Sequence, residues 1–304
     1  MKKRPSRNVA ASVRQRLKNV ARETDRPFDE VLQYFAMERF LHRLSISKHA
    51  DSFVLKGALL FRVWQAPESR ATRDIDFLAY LNNAPDHLAS VLRDIISIDG
   101  PDDGVVFDPD SVEAHRIKEG ADYEGVRTRF IGYLGNARIT MQADIGFGDS
   151  VFPAPTLIDY PTILDLPAPS IRSYPPETVI AEKVEAMIFL GRLNSRMKDF
   201  YDIWWMAQQL DFDGSTLCEA VRRTLEERGT DVIRFDELRA EILENQNIDQ
   251  QWRAFVRKSR TEAPASFAEI LLPIETLLAP LLSALKDEES MVGRWDAPGP
   301  WNLK

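Results

Sequence analysis

The stretch from residue 53 to residue 80, FVLKGALLFRVWQAPESRATRDIDFLAY, decides the fold. Its apolar opening, residues 53–55, predicts a short strand, residues 58–64 a helix, and residues 75–80 a second strand. Asp74 and Asp76 stand two residues apart, so in an extended chain their carboxylates leave the same side of the strand. Two acids held that close repel, and one tends to stay protonated unless a cation lies between them. A divalent metal lets both ionise. Gly57 sits between the first strand and the helix, where a backbone without a side chain can approach a phosphate beside outward-pointing amides. An Asp-x-Asp by itself also occurs in solvated turns. Here Ile75, Phe77 and Leu78 make the segment a buried strand, and buried acids need partners. Metal-held carboxylates next to a phosphate-sized loop suggest metal-assisted nucleotidyl transfer.

Upstream, residues 7–23 read as a helix with Ser6 as its cap, and Val9, Val13, Leu17 and Val20 form its core-facing stripe. A second helix is expected over residues 27–44, with Pro27 in its first turn. Downstream, residues 86–96 are amphipathic and helical, and residues 99–110 read as an acidic, turn-rich loop. Residues 111–118, 125–133 and 137–145 alternate as strands, the last two joined at Leu134-Gly135-Asn136. Such an antiparallel meander beside the Asp-x-Asp strand would bring Asp144 near Asp74 and Asp76. Seven prolines between residues 153 and 176 predict a linker with neither a long helix nor a central strand. Beyond it the chain reads as helices over 177–191, 196–210 and 215–228, then several more to about residue 286. The last fourteen residues, MVGRWDAPGPWNLK, read as irregular. The expected fold is therefore α/β of the α+β kind. Residues 1–165 would hold N-terminal helices and a small mixed or antiparallel sheet, and residues 170–304 a helical bundle.

The segments ERFLHRLSIS…FVLKGALLFRVW…RATRDIDFLAY, RITMQADIGFGD and ETVIAEKVEAMIFLGRLNSRMKDFYDIWW, running from Glu38 to Trp205, resemble the AbiEii/AbiGii nucleotidyltransferase toxins of the DNA polymerase β-like superfamily. The resemblance implies a nucleotidyltransferase domain followed by a helical domain. It also implies Mg2+ or Mn2+ as cofactor, a nucleoside triphosphate as substrate, tRNA as acceptor, and a cognate antitoxin as partner in a toxin–antitoxin system with a role in antiviral defence. Asp74, Asp76 and Asp144 would hold the metal, with Asp149 an alternative third acid better suited to shaping a turn. Lys56, Gly57 and Ala58 would meet the nucleotide. The superfamily's small pair is Gly-Ser or Gly-Gly, so Gly57-Ala58 offers no hydroxyl and leaves phosphate contacts to backbone N–H groups. Lys183 and Asp199, in AEKVEAM and RMKDFYD, fall where the family has a functional lysine and aspartate. Lys183 would reach phosphates, and Asp199 would orient a base, a ribose hydroxyl or Lys183 itself, with Asp202 in reserve. By spacing alone Glu182, Lys183 and Glu185 read as an exposed charged face, with Lys198 paired to Asp202.

Composition bounds the rest. One cysteine, Cys218, excludes an internal disulfide and a Cys-rich zinc site. The start lacks the apolar core of a signal peptide, and the apolar run at residues 270–285 is interrupted by Pro273, Glu275 and Pro280, so a cytoplasmic protein without a membrane partner is expected. Net charge is −8, yet residues 1–26 carry +7, with Arg14, Arg16 and Lys18 on the first helix. That basic segment suits an RNA backbone as well as it suits a solvated face. A glycosyltransferase, whose Asp-x-Asp also holds a metal, and a non-catalytic RNA- or protein-binding relative are the competing readings. The order of glycine, acids and the later Lys/Asp pair disfavours the first, and the presence of all three acids with Lys183 disfavours the second.

Overall fold

The computed structural model describes residues 8–66, 72–119, 123–259 and 261–303. The chain divides into two units, one of residues 1–148 and 156–173, the other of residues 149–155 and 174–304.

The first unit begins with two helices, α1 (Val9–Glu23) and α2 (Phe28–Ser45), and carries a third, α4 (Pro85–Ile96), after the short α3 (Leu60–Val63). Its seven strands are β1 (Phe53–Lys56), β2 (Asp74–Ala79), β3 (Val105–Glu119), β4 (Tyr123–Leu134), β5 (Ala137–Gly146), β6 (Thr156–Asp159) and β7 (Ser170–Ser173). They form one mixed sheet in the order β3-β4-β5-β2-β1-β7-β6. The meander β3-β4-β5 is antiparallel, β5 joins β2 in parallel, β2 and β1 are antiparallel, and β1 joins β7 in parallel. One face of the sheet is apolar because alternate residues point there: Phe53 and Leu55 from β1, Ile75 and Phe77 from β2, Ala143 and Ile145 from β5, Phe130 from β4. Phe40 of α2 lies at its centre, with ring centroids 5.2 Å from Phe130, 6.3 Å from Phe107 and 6.4 Å from Phe77. Such tilted and edge-on pairs add to the burial of the rings themselves.

Several sequence expectations change here. Ser6 lies outside the described residues, and α1 is capped by Asn8, whose side chain accepts from the Ala11 N–H. The stripe buries Val13, Leu17 and Ala21, with Val9 and Val20 at its margins. The acidic loop is shorter than expected, because β3 already begins at Val105 and bulges between Asp108 and Glu113. Asp103 is buried, ion-paired to Arg43 at 2.9 Å. The proline-rich segment is not merely a linker. Two of its three five-residue proline-free windows become β6 and β7, and β7 lies inside the sheet. Buried charges from α2 hold this segment down. Glu38 accepts from the Ile163 N–H at 2.7 Å, while Arg39 donates to the Pro167 carbonyl at 3.1 Å and to Glu38 at 2.6 Å. Burial pushes the Glu38 carboxyl above its usual range, against the opposing pull of Arg39.

The second unit is mostly helical, with α5 (Pro176–Leu190), α6 (Met197–Gln209), α7 (Gly214–Arg228), α8 (Phe235–Leu243), α9 (Ile248–Ser259) and α10 (Phe267–Lys286). The helix α10 runs unbroken through Pro273 and Pro280. Two interior prolines cost roughly 6 kcal/mol against good helix formers. Burying Ile270, Leu271, Ile274, Leu277, Leu278, Leu281 and Leu282 returns more, at about 1.5–3 kcal/mol each. Long and apolar enough to cross a bilayer by length and composition, α10 instead packs against α6 to α9 in this unit. The tail is ordered: β9 (Gly293–Trp295) pairs with β8 (Phe212–Asp213) and with β10 (Trp301–Leu303). Trp295 and Trp301 are buried 5.5 Å apart, their indole N–H groups donating to the carbonyls of Ala207 and Leu277, both at 2.9 Å.

Candidate active site

On the face of the sheet opposite Phe40 the register lines up charges. Lys56 is the partner of Asp76, Asp76 of Asp144, and Asp144 of Arg127. Partnered residues of a sheet point to one side, so these four side chains form a rung across β1, β2, β5 and β4, about 14 Å long at the usual strand spacing. A second rung, two residues along, joins Asp74, Gln142 and Arg129, with the Arg129 Nε donating to Gln142 at 3.0 Å. Asp74 and Asp76 are half-buried, and Asp144 is buried. The meander thus sets Asp144 on the strand next to the Asp-x-Asp pair.

Gly57 opens a 3-10 turn immediately after β1 at φ +75°, a conformation that penalises residues with a Cβ. A methyl group built on its Cα would overlap the Asp76 carboxylate, 2.7 Å from Cγ and 2.9 Å from Cβ. The glycine is required twice over, by its backbone angle and by the side chain lying against it. Ala58 and the Gly57 backbone begin the turn that leads into α3. Arg73 is exposed beside the acids, and Arg70 lies outside the described residues.

Asp144 has both carboxylate oxygens on Arg127, at 2.8 Å from Nε and 2.7 Å from Nη2. Among the described residues no group of three or more His, Cys, Asp or Glu side chains is gathered closely enough to hold a metal ion. The donor chemistry of Asp74 and Asp76, hard carboxylate oxygens, fits Mg2+ or Mn2+. Asp144 gives both its oxygens to Arg127 and does not complete a three-carboxylate group with them. Arg127 was not singled out in the sequence, although a signal was there. Counting back from the Gly135-Asn136 turn pairs Leu134 with Ala137 and, seven rungs on, Arg127 with Asp144.

Lys183 and Asp199 belong to the second unit, where they build a network of their own. Lys183 on α5 meets Asp199 at 2.8 Å and Asp202 at 2.7 Å, and Arg196 meets Asp199 at 2.7 Å. Both aspartates are buried. Of the roles expected for Asp199, the contact observed is the one with Lys183 itself, and Asp202 is its equal. The exposed-face alternative fails for Glu185, which is buried and accepts from Arg228 and Thr230, each at 2.8 Å. Asp149 shapes no exposed turn: it is buried in the second unit, with Tyr174 at 3.2 Å and Arg228 at 3.3 Å.

Burial raises the Asp199 carboxyl, but Lys183 and Arg196 outweigh it and hold the group below the usual carboxylate range. A carboxyl lowered by folding stabilises above its unfolded pKa, and that contribution disappears as pH falls through the lowered value. Asp199→Asn should therefore lower stability at neutral pH and flatten the loss of stability below about pH 4, as read from urea midpoints across pH. An acid limb as steep as the wild type's would contradict this.

The chain matches the family described as "Nucleotidyl transferase AbiEii toxin, Type IV TA system" over residues 39–273. It belongs to this family. The match spans both units and takes in the glycine turn, the three aspartates and the Lys183 network. The nucleotidyltransferase toxin family accordingly accounts for the mixed α/β architecture and for membership of a toxin–antitoxin system. Two solved structures, both from Helicobacter pylori, are similar. One is provisionally described as a nucleotidyltransferase, with 15% identity, 85% of this chain and 97% of that chain covered, and a TM-score of 0.46. The other is JHP933, with 14% identity, 85% and 94% covered, and the same TM-score. No curated protein matches.

Proposed function

We propose that this AbiEii-family chain transfers a nucleoside monophosphate from a nucleoside triphosphate to an RNA acceptor, tRNA by family analogy, with Mg2+ or Mn2+ held by Asp74 and Asp76 and completed by Asp144. The observation that carries the reading is the contact between Gly57 and the Asp76 carboxylate. It brings a backbone suited to phosphate against the acid pair, with Asp144 on the adjoining strand. A divalent ion bound there would neutralise the triphosphate and favour ionisation of the acceptor hydroxyl. The chain's own groups do the rest. The Gly57 and Ala58 N–H groups, at the start of the turn into α3, would meet phosphate oxygens. Lys56, at the end of the charged rung, supplies a positive charge for the same group. Asp199 and Asp202 fix the position of the Lys183 ammonium, which is the second unit's candidate phosphate contact.

The exposed basic residues Arg14, Arg16 and Lys18 of α1 are the candidate contacts to the acceptor backbone. A cognate antitoxin is the expected partner, and the reducing cytoplasm the expected compartment. Purified protein incubated with MgCl2, total RNA and each radiolabelled triphosphate in turn should transfer label to an RNA of tRNA size from at least one of them, and EDTA should stop it. Label appearing only on protein, or transfer unaffected by EDTA, would refute the acceptor or the metal respectively.

A further inference from the structure

The Arg127–Asp144 pair is a two-bond ion pair on the charged face of the sheet, and it involves the one proposed metal ligand that stands on a different strand from the other two. Its two bonds are parallel and short, the fork-to-carboxylate geometry that makes Arg–Asp pairs strong. Asp144 is 9% exposed at its side chain, so the pair is shielded on that side from water that would weaken it. Arg127 itself is 36% exposed, which leaves it room to move. Its backbone is fixed by the β4–β5 ladder, and its partner on the next strand is fixed in the rung with Asp76.

The fork takes one lone pair on each Asp144 oxygen and sets a positive charge against the carboxylate, so a divalent ion approaching those oxygens competes with the guanidinium for them. We infer that Arg127 is a positioning residue that competes with the divalent cation for Asp144. It neutralises the third carboxylate when no ion is bound, and opening the fork frees both oxygens to serve the ion as its third protein ligand. This rests on the metal reading above. No proton moves in the exchange: a singly charged guanidinium leaves the carboxylate and a doubly charged ion takes its place.

The test is Mn2+ binding to the full-length protein without nucleotide, followed by the electron paramagnetic resonance signal of free Mn2+, with folding checked by circular dichroism melts. Arg127→Gln should tighten binding about tenfold, because the ion no longer displaces a bonded cation. Arg127→Lys, which keeps the charge and loses the fork, should tighten it by about threefold. Asp144→Asn should weaken binding, and adding Arg127→Gln to Asp144→Asn should bring no further change. Equal affinity in the wild type and both Arg127 variants would overturn the inference. So would a tightening of the same size in the Asp144→Asn background, which would make Arg127 a distant charge and not a competitor. Failure of the metal reading has a separate signature: Asp76→Asn would then retain wild-type Mn2+ affinity.

Discussion

Asp76→Ala should reduce nucleotidyl transfer by about a thousandfold or more while the protein remains folded. Asp76 is the residue on which the candidate site converges. It is partnered with Lys56 on one side and Asp144 on the other, stands two residues from Asp74, and has its carboxylate against Gly57. Removing one metal carboxylate is expected to forfeit about 4 kcal/mol of transition-state stabilisation, which is roughly three powers of ten in rate. Stability should change much less, because the side chain is half-buried and belongs to the polar face of the sheet, away from the Phe40 core. Transfer measured with labelled triphosphate, alongside a urea midpoint for each protein, separates the two effects. A folded alanine variant that still transfers at the wild-type rate would remove Asp76, and with it the metal reading, from the mechanism.

Gly57→Ala should be nearly as damaging to activity, and it should also cost stability. An alanine at φ +75° carries a penalty of about 1–2 kcal/mol from its backbone alone. The new methyl would then push on the Asp76 carboxylate, which must rotate or shift with its strand. Misplacement of a catalytic group by about 1 Å can cost about a hundredfold in rate. The expected result is therefore a lower urea midpoint together with a loss of transfer near a hundredfold. Gly57→Ala with a lower midpoint but full activity would mean that Asp76 tolerates displacement, which a metal ligand should not. The two variants differ usefully. Asp76→Ala removes the ligand and leaves the turn intact, whereas Gly57→Ala keeps the ligand and moves it.

Much of the first unit was legible because its signals are local. The period-two alternation in residues 125–145 and the Gly135-Asn136 turn specify a hairpin without reference to the rest of the chain. The apolar stripe of α1 specifies its buried side in the same way. What escaped were features set by distant partners. Residues 170–173 carry no strong strand signal between their prolines, yet they become a strand because β1 offers an open edge and Glu38 and Arg39 secure the preceding segment. The tail reads as irregular until Trp295 and Trp301 find the carbonyls of Ala207 and Leu277. Asp149, expected to shape a turn, is instead consumed by Arg228 from far along the chain. Pro273 and Pro280, which break helices locally, are overruled by the burial of the face on which α10 packs.

The same division runs through the site. The amino-acid order alone established that two acids share one side of a strand, that a glycine precedes them between a strand and a helix, and that a third acid stands on a later strand. These follow from side-chain period and backbone sterics, which act over a few residues. Only the tertiary structure decided that Gly57 touches Asp76, that Asp144 is held by Arg127, and that one lysine serves two buried aspartates. Each of those depends on which strand or helix lies alongside which, and that choice is made by burial of the whole apolar surface and not by any short stretch of chain.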